Sequence, residues 1–437
     1  TNMEYSVEQE PNRAIITSKW GEIETAEVKK DTQVRYLGGV KSPILTEVKK
    51  SDKVTVLEDE DDWMKVATAD GYVGYIKTKS LKNQKKEKTS RDFTEPVYSD
   101  MTEDHSINMA WHNVTNAAAN NAVQQVLAST SGLTTIAPTW FSLADTEGNI
   151  SSIADADYVN YAHTAGLEVW AVFRDFHGGT NSYDETYETL RYTSKRAKLE
   201  DQVVAAAVAA GVDGINLDFE LISSKCGVHY VQLVRELSVK CHQNNLVFSV
   251  DNYVPQSYNS HYDLKEQGIV ADYVVIMAYD EHTEGSYEAG SVASISYLQD
   301  GIEKTLKKVS ADKVIAGIPF FTRLWFETAK SPEQLSEEAG TEAASYPNKV
   351  SSKALGMEEA AQSVVNAGAT AQWDEKTQQN YAKWSADGGT YRIWLEDAQS
   401  LEAKLKVIQE NKLAGVAEWS LGKEESSVWN LISQYVN

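Results

Sequence analysis

Asp213-Gly214-Ile215-Asn216-Leu217-Asp218-Phe219-Glu220 is the stretch on which the reading of this chain turns. Its apolar members Ile215, Leu217 and Phe219 alternate with Asn216, Asp218 and Glu220, and the two-residue period of a strand puts the two sets on opposite faces. The apolar set packs beneath other elements. The polar set must then line an interior, where burying two carboxyls without a task is costly. Cα atoms two apart on a strand are separated by about 6.6 Å, so Asp218 and Glu220 can flank one bound ring. Two neighbouring acids repel each other's charge. Glu220, taken as the less hydrogen-bonded, is expected to have the raised pKa and to serve as general acid. The competing structural reading ties both acids to backbone or to Arg.

Outward from this strand, seven more apolar runs alternate with longer helical stretches. The eight begin near Ile107, Thr134, Leu167, Gly214, Leu246, Tyr273, Val314 and Ala414. Most spacings lie near the ~31 residues per unit expected when eight strand-helix units share about 250 residues. Eight such units close into a (β/α)8 TIM barrel. A doubly wound open sheet would want a glycine-rich phosphate turn after its first strand, and the sequence has none there. Nearly a hundred residues separate the last two runs, too many for one crossover. A small α+β insertion is therefore expected at about residues 327–392, ending in strand-like Thr390–Leu395. The segment from Ser400 to Asn411 reads as the helix that rejoins the barrel.

The barrel accounts for residues 96–437. Before it, short alternating runs such as Lys53–Leu57, Trp63–Ala67 and Gly71–Ile76, with Gly and Asp between them, read as a small antiparallel barrel over 34–82. Residues 1–33 read as an extension with strand-like runs. The Lys-rich stretch from Lys82 to Lys88 reads as the start of a linker covering 83–95. Charge follows the same division. Residues 1–90 hold 16 basic and 16 acidic side chains, so the whole formal charge of −23 falls on the larger part. Such a surface disfavours nucleic acid and anionic membranes and suits a neutral polymer, although solubility alone is a competing reading.

No run approaches the ~20 apolar residues of a membrane helix. The chain starts at Thr1, which leads to the expectation of a processed or trimmed chain with any signal or anchor upstream. Cys226 and Cys241 are separated by a helical stretch, about 22 Å along one helix, and a disulfide needs Cα atoms within roughly 7 Å. They are read as buried thiols. The 8 histidines form no metal-binding pattern, and neither metal nor cofactor is expected.

Two resemblances add to this reading. Residues Val34 to Leu81, with Lys49–Leu57 and Gly71–Ile76, resemble bacterial SH3-like domains, which often tether enzymes to cell walls. Asp213-x-x-Asn216-x-Asp218-x-Glu220 resembles the Asp-x-x-Asp-x-Asp-x-Glu signature of family 18 glycoside hydrolases. Met277-Ala278-Tyr279-Asp280, Gly317–Arg323 and Glu418–Gly422 are similar to that family's sixth-, seventh- and eighth-strand motifs, in order. The wording of the fourth strand, with Thr390–Asp397 and Gln379–Ala382, is most similar to the spore-cortex and cell-wall branch.

The resemblance implies a retaining hydrolase of β-linked N-acetylglucosamine in which the substrate's own acetamide is the nucleophile. Glu220 is the proton donor, Asp218 holds the acetamide N–H, and Tyr279 bonds its carbonyl oxygen. Asn216, Asp213 and Asp280 support them. Trp419 is an apolar floor for a sugar face, Arg323 binds hydroxyls, and Trp140, Asp251, Tyr253, Met277 and Trp394 are candidate cleft walls. The implied substrate is an N-acetylglucosamine polysaccharide, peptidoglycan or spore cortex, and the implied setting is extracellular, at the wall or spore. The SH3-like domain adds a possible cell-wall partner. A chitinase and a silent carbohydrate-binding barrel are the alternatives.

Asn216 departs from the signature, which has an acid there. An amide resembles a carboxyl that never ionises, so it is expected to donate to Asp218 and to simplify the coupled titration of the site. Asn216→Asp is expected to retain activity while broadening or shifting the acid limb of the pH–activity profile. An unchanged profile contradicts this account.

Overall fold

A computed structural model describes residues 5–6, 15–16, 22–88 and 100–436, and the chain forms two units, Thr1–Tyr98 and Ser99–Asn437. The expected N-terminal extension lies largely outside the described residues; within it, Tyr5–Ser6 pairs antiparallel with Ile15–Ile16.

In the first unit, seven strands between Glu22 and Lys88 form one antiparallel sheet around a core that includes Val28, Val34, Val54, Met64, Val66 and Ile76. Its alternation of buried and half-buried positions is that of strands with one wet face. Gly74 is dictated by close approach, since a Cβ there would stand 2.6 Å from the carbonyl oxygen of Arg35. Two boundaries differ from expectation. Glu22–Val28, assigned to the extension, is a central strand of this sheet, and the Lys-rich stretch is its edge strand, Leu81–Lys88, and no linker. The lysines face the acids of the neighbouring strand: Lys82 pairs with Glu27 at 2.8 Å and Lys86 with Glu22 at 3.2 Å. Charge along an edge also blunts unwanted pairing with other chains. The remainder of the expected linker, 89–95, lies outside the described residues.

The second unit is the expected TIM barrel. Its strands are β1 (Ile107–His112), β2 (Thr135–Pro138), β3 (Glu168–Arg174), β4 (Gly214–Asp218), β5 (Val247–Tyr253), β6 (Tyr273–Met277), β7 (Val314–Pro319) and β8 (Gly415–Trp419). Each pairs in parallel with its neighbours, and β8 closes the ring onto β1. The second run is broken after Pro138. Phe141–Leu143 continues beside β3 and turns back as a hairpin with Ile150–Ser152. Alternate residues fill the interior, among them Met109 and Trp111 from β1, Trp170 and Val172 from β3, Val275 and Met277 from β6, and Ala417 from β8. Cys226 and Cys241 are free and buried, at the two ends of the helix region Gly227–Gln243, as expected.

The insertion is wider than 327–392. Its five-stranded sheet begins at Phe321, immediately after β7, and runs to Leu395, with helix Met357–Asn366 packed on it. It is fastened to the barrel helix Ala398–Glu410 by a buried ion pair: Lys404 Nζ lies 2.9 Å from Glu396, both side chains at most 1% exposed. Gln379 from an inserted strand and Ser400 complete the shell of Glu396, donating at 2.7 and 2.8 Å. Burial pushes the Glu396 carboxyl up and Lys404 pulls it back. Removing the cation strands a buried charge, which costs about 3–5 kcal/mol. Lys404→Met should therefore lower the urea midpoint strongly, and Lys404→Met with Glu396→Gln should recover part of the loss; equal midpoints for wild type and Lys404→Met contradict this role.

Candidate active site

The side chains that end the barrel strands converge on a cavity of about 720 Å³, counted with its open mouth. β4 supplies Asp218 and, two residues past its end, Glu220; β5 supplies Asp251 and Tyr253, and β6 supplies Met277 with Tyr279 and Asp280 beyond it. Trp111 from β1 and Trp419 from β8 form an aromatic floor, their rings 6.0 Å apart, with Tyr279 edge-on to Trp111 at 6.4 Å. The peptide after Trp419 is cis. Inward alternation explains these positions: Asn216 is fully buried below Asp218, as Ala417 is below Trp419.

Electrostatically the two acids are unlike, though not in the expected sense. Glu220 is the better bonded of the pair, accepting from the Tyr253 hydroxyl. Asp218 is buried, and its Oδ1 has no partner among the described residues. Burial raises Asp218 well above the usual carboxylate range, with Glu220, Asp251 and Asp175 adding like charge and Arg174 opposing them. Glu220 is also raised, by burial first, with the Tyr253 hydrogen bond lowering it and Asp280 raising it. Asp251 is pushed up to about 8, mainly by burial. At neutral pH this cluster holds protons that exposed carboxyls would have lost. It can therefore offer a proton to a bound group and accept one back.

Asn216 does not donate to Asp218. Its amide N–H groups go to Asp251 Oδ1 at 2.7 Å and Ser249 Oγ at 2.9 Å, while its carbonyl accepts from the Trp111 indole at 3.0 Å. The neighbouring strand offers an acceptor directly beside residue 216, since Asn216 and Ser249 stand in register across β4 and β5. Asp218 is one step higher on its own strand.

Four other expected residues lie away from the cavity. Asp213 precedes β4 at the opposite end of the barrel, bonding the Val169 N–H and His163, each at 2.8 Å. Trp140 is buried on the outer side of the strands, with its indole N–H donated to Asn120 at 2.8 Å. Trp394 belongs to the inserted sheet and packs on Tyr381 at 4.8 Å. Arg323, on the first inserted strand, bonds Ser352, and its charge opposes the burial that raises the Asp280 carboxyl.

Two residues that sequence reasoning passed over matter more. Asp175, just after β3, accepts the backbone N–H of Glu220 at 2.8 Å and that of Leu221 at 3.0 Å, and the Thr186 hydroxyl at 3.1 Å. It clamps the peptide that carries Glu220. Burial raises it to about 7. Arg174 beside it lines the cavity. The signal was present: Arg-Asp closes an otherwise apolar run, Val169–Phe173. The loop onward is pinned at Gly179, where a Cβ would stand 1.8 Å from the Ala144 carbonyl oxygen.

Residues 119–424 match the family described as Glycosyl hydrolases family 18, and residues 29–82 match the Bacterial SH3 domain. The chain is 25% identical over 295 residues to a Bacillus subtilis (strain 168) protein described as "Uncharacterized glycosylase YvbX", covering 65% of this chain and 80% of that one. It is 27% identical over 256 residues to the "Cortical fragment-lytic enzyme" of the same organism, covering 56% of this chain and 54% of that one. The crystal structure of the Bacillus megaterium QM B1551 spore cortex-lytic enzyme SleL superposes with a TM-score of 0.63 at 19% identity, over 84% of this chain and 77% of that one. The last likeness is one of fold.

The Tyr253 hydroxyl donates to the charged form of Glu220 and so favours ionisation. In Tyr253→Phe the Glu220 carboxyl should titrate at higher pH than in wild type, read from its side-chain 13C resonance. A lower or unchanged midpoint contradicts the bond.

Proposed function

Because the chain belongs to glycosyl hydrolases family 18 and is a glycosidase, we propose that it cleaves β-linked N-acetylglucosamine bonds in peptidoglycan or spore cortex, with retention and by substrate-assisted catalysis. The observation that carries this reading is the pair Asp218 and Glu220, two acids from one strand opening into one cavity over a Trp111–Trp419 floor.

Glu220, protonated through its raised pKa, donates to the leaving glycosidic oxygen as the C1–O bond breaks. The acetamide carbonyl oxygen of the same sugar closes on C1, giving an oxazolinium ion and no covalent bond to the protein. Asp218, in its ionised form, receives the acetamide N–H on the oxygen that has no protein partner, and its carboxylate offsets the positive charge of the oxazolinium ring. Tyr279 orients the carbonyl. Glu220, now ionised, takes a proton from the water that opens the ring. Holding nucleophile and electrophile in one bound sugar replaces a bimolecular encounter with an intramolecular one.

Peptidoglycan is preferred to chitin on the relation to the cortical fragment-lytic enzyme and on the SH3-like unit, which we propose holds the enzyme at the wall. Action outside the cell follows from that substrate. Wild type and Glu220→Gln incubated with peptidoglycan and with chitin oligosaccharides, followed by identification of new reducing ends, test the proposal. Wild type should release N-acetylglucosamine ends from peptidoglycan, and Glu220→Gln should be slower by at least about 10²–10⁴-fold. De-N-acetylated substrate should not be cleaved. Muramic ends overturn the acetamide mechanism, cleavage of chitin alone makes the enzyme a chitinase, and cleavage of neither makes the barrel a binding protein.

A further inference from the structure

Arg174 is a cation placed in the cavity without an ion-pair partner among the described residues. On β3, Trp170 and Val172 point into the barrel core, so the strand period carries the Arg174 side chain inward at the mouth. It stands in register with Asp218 on the adjacent strand. Its guanidinium is partly buried, its Nε is buried without a hydrogen-bond partner, and no carboxylate comes within ion-pair distance of it among the described residues. The Phe176 ring, 5.6 Å from the guanidinium carbon, supports it instead.

Three other partly buried arginines are paired, whereas Arg323, which bonds Ser352, shares with Arg174 a buried Nε without a partner among the described residues. Arg196, Arg235 and Arg392 each meet a glutamate at 2.9, 2.6 and 2.6 Å. Had Arg174 served only to neutralise Asp218, the same close pair would satisfy both groups. Instead its donors remain open toward the cavity while it acts on Asp218 through space. Arg323 and Lys423 act on Asp280, leaving Arg174 as the guanidinium that lines the cavity beside Asp218. A chain built of N-acetylglucosamine alone brings only hydroxyls and amides to this position. A carboxylate on the sugar would meet the planar fork with two charge-assisted hydrogen bonds.

We infer that Arg174 forms a subsite for a carboxylate carried by the sugar next to the reacting N-acetylglucosamine, the lactyl ether of a muramic acid residue that bears no stem peptide being a group of that chemistry in peptidoglycan. The inference rests on the glycosidase reading above and deepens it, making the preferred substrate an anionic glycan. Arg174 is here a specificity-determining residue; bond cleavage itself remains with Glu220 and Asp218.

Three oligosaccharides of equal length separate the possibilities: one alternating N-acetylglucosamine with muramic acid bearing a free lactyl carboxylate, the same chain with that group as a carboxamide, and a chito-oligosaccharide. kcat/KM is measured for wild type, Arg174→Gln and Arg174→Lys, with thermal midpoints as the control for folding. Arg174→Gln should lower the ratio of carboxylate to carboxamide turnover by about 10- to 100-fold, the range for a hydrogen bond to a charged group. Arg174→Lys should lower it less. Equal losses on all three substrates overturn the subsite and leave Arg174 acting through Asp218. If wild type cleaves none of them, the proposed function has failed, and equilibrium binding of the carboxylate and carboxamide chains to wild type and Arg174→Gln decides the subsite by itself. A preference for carboxylate that Arg174→Gln abolishes sustains it, and equal affinities refute it.

Discussion

A closed ring of eight parallel strands leaves the side chains at its C-terminal rim little water, and the site depends on that restriction. Asp218, Glu220, Asp251 and Asp280 crowd one cavity, and burial is the largest cause of the upward shift in each. In open solvent the same four groups would be ionised and would repel. Within the rim their protons become shared property, distributed by the hydrogen bonds that reach each carboxyl. Asn216 steadies Asp251 and Tyr253 steadies Glu220. Asp218, with an oxygen left unbonded, is the member most responsive to whatever enters.

The fold was legible because period-two alternation and strand spacing survive without any knowledge of packing. All eight barrel strands fall within the runs read from the sequence, and Asp218 and Glu220 open into one cavity as their parity required. Parity also contained one exception: Asp213 shares the odd register of Ile215 and Leu217, so it belongs outside the barrel wall. Trp140 lies past the break after Pro138, where the period no longer applies. What the sequence hid were relations across strands. A lysine-rich stretch looks like a linker until the acids of Glu22–Val28 lie opposite it. Likewise the donor of Asn216 has a choice of acceptors only once β5 is beside β4.

Accuracy at the rim comes from outside the reacting groups. Glu220 lies past the end of its strand, where backbone order would ordinarily fade, yet Asp175 grips its peptide N–H from the next loop. That loop is in turn held where Gly179 passes under the Ala144 carbonyl. The acid is thus positioned by two successive loops.

Arg174 and Asp175 are separated by one peptide bond and project to opposite sides of it, one into the cavity and the other under the neighbouring backbone. Selectivity for charge and placement of the proton donor are therefore adjacent in the gene but mechanically independent. A lineage can exchange the first side chain and explore new polymers while the second keeps the reaction centre in register.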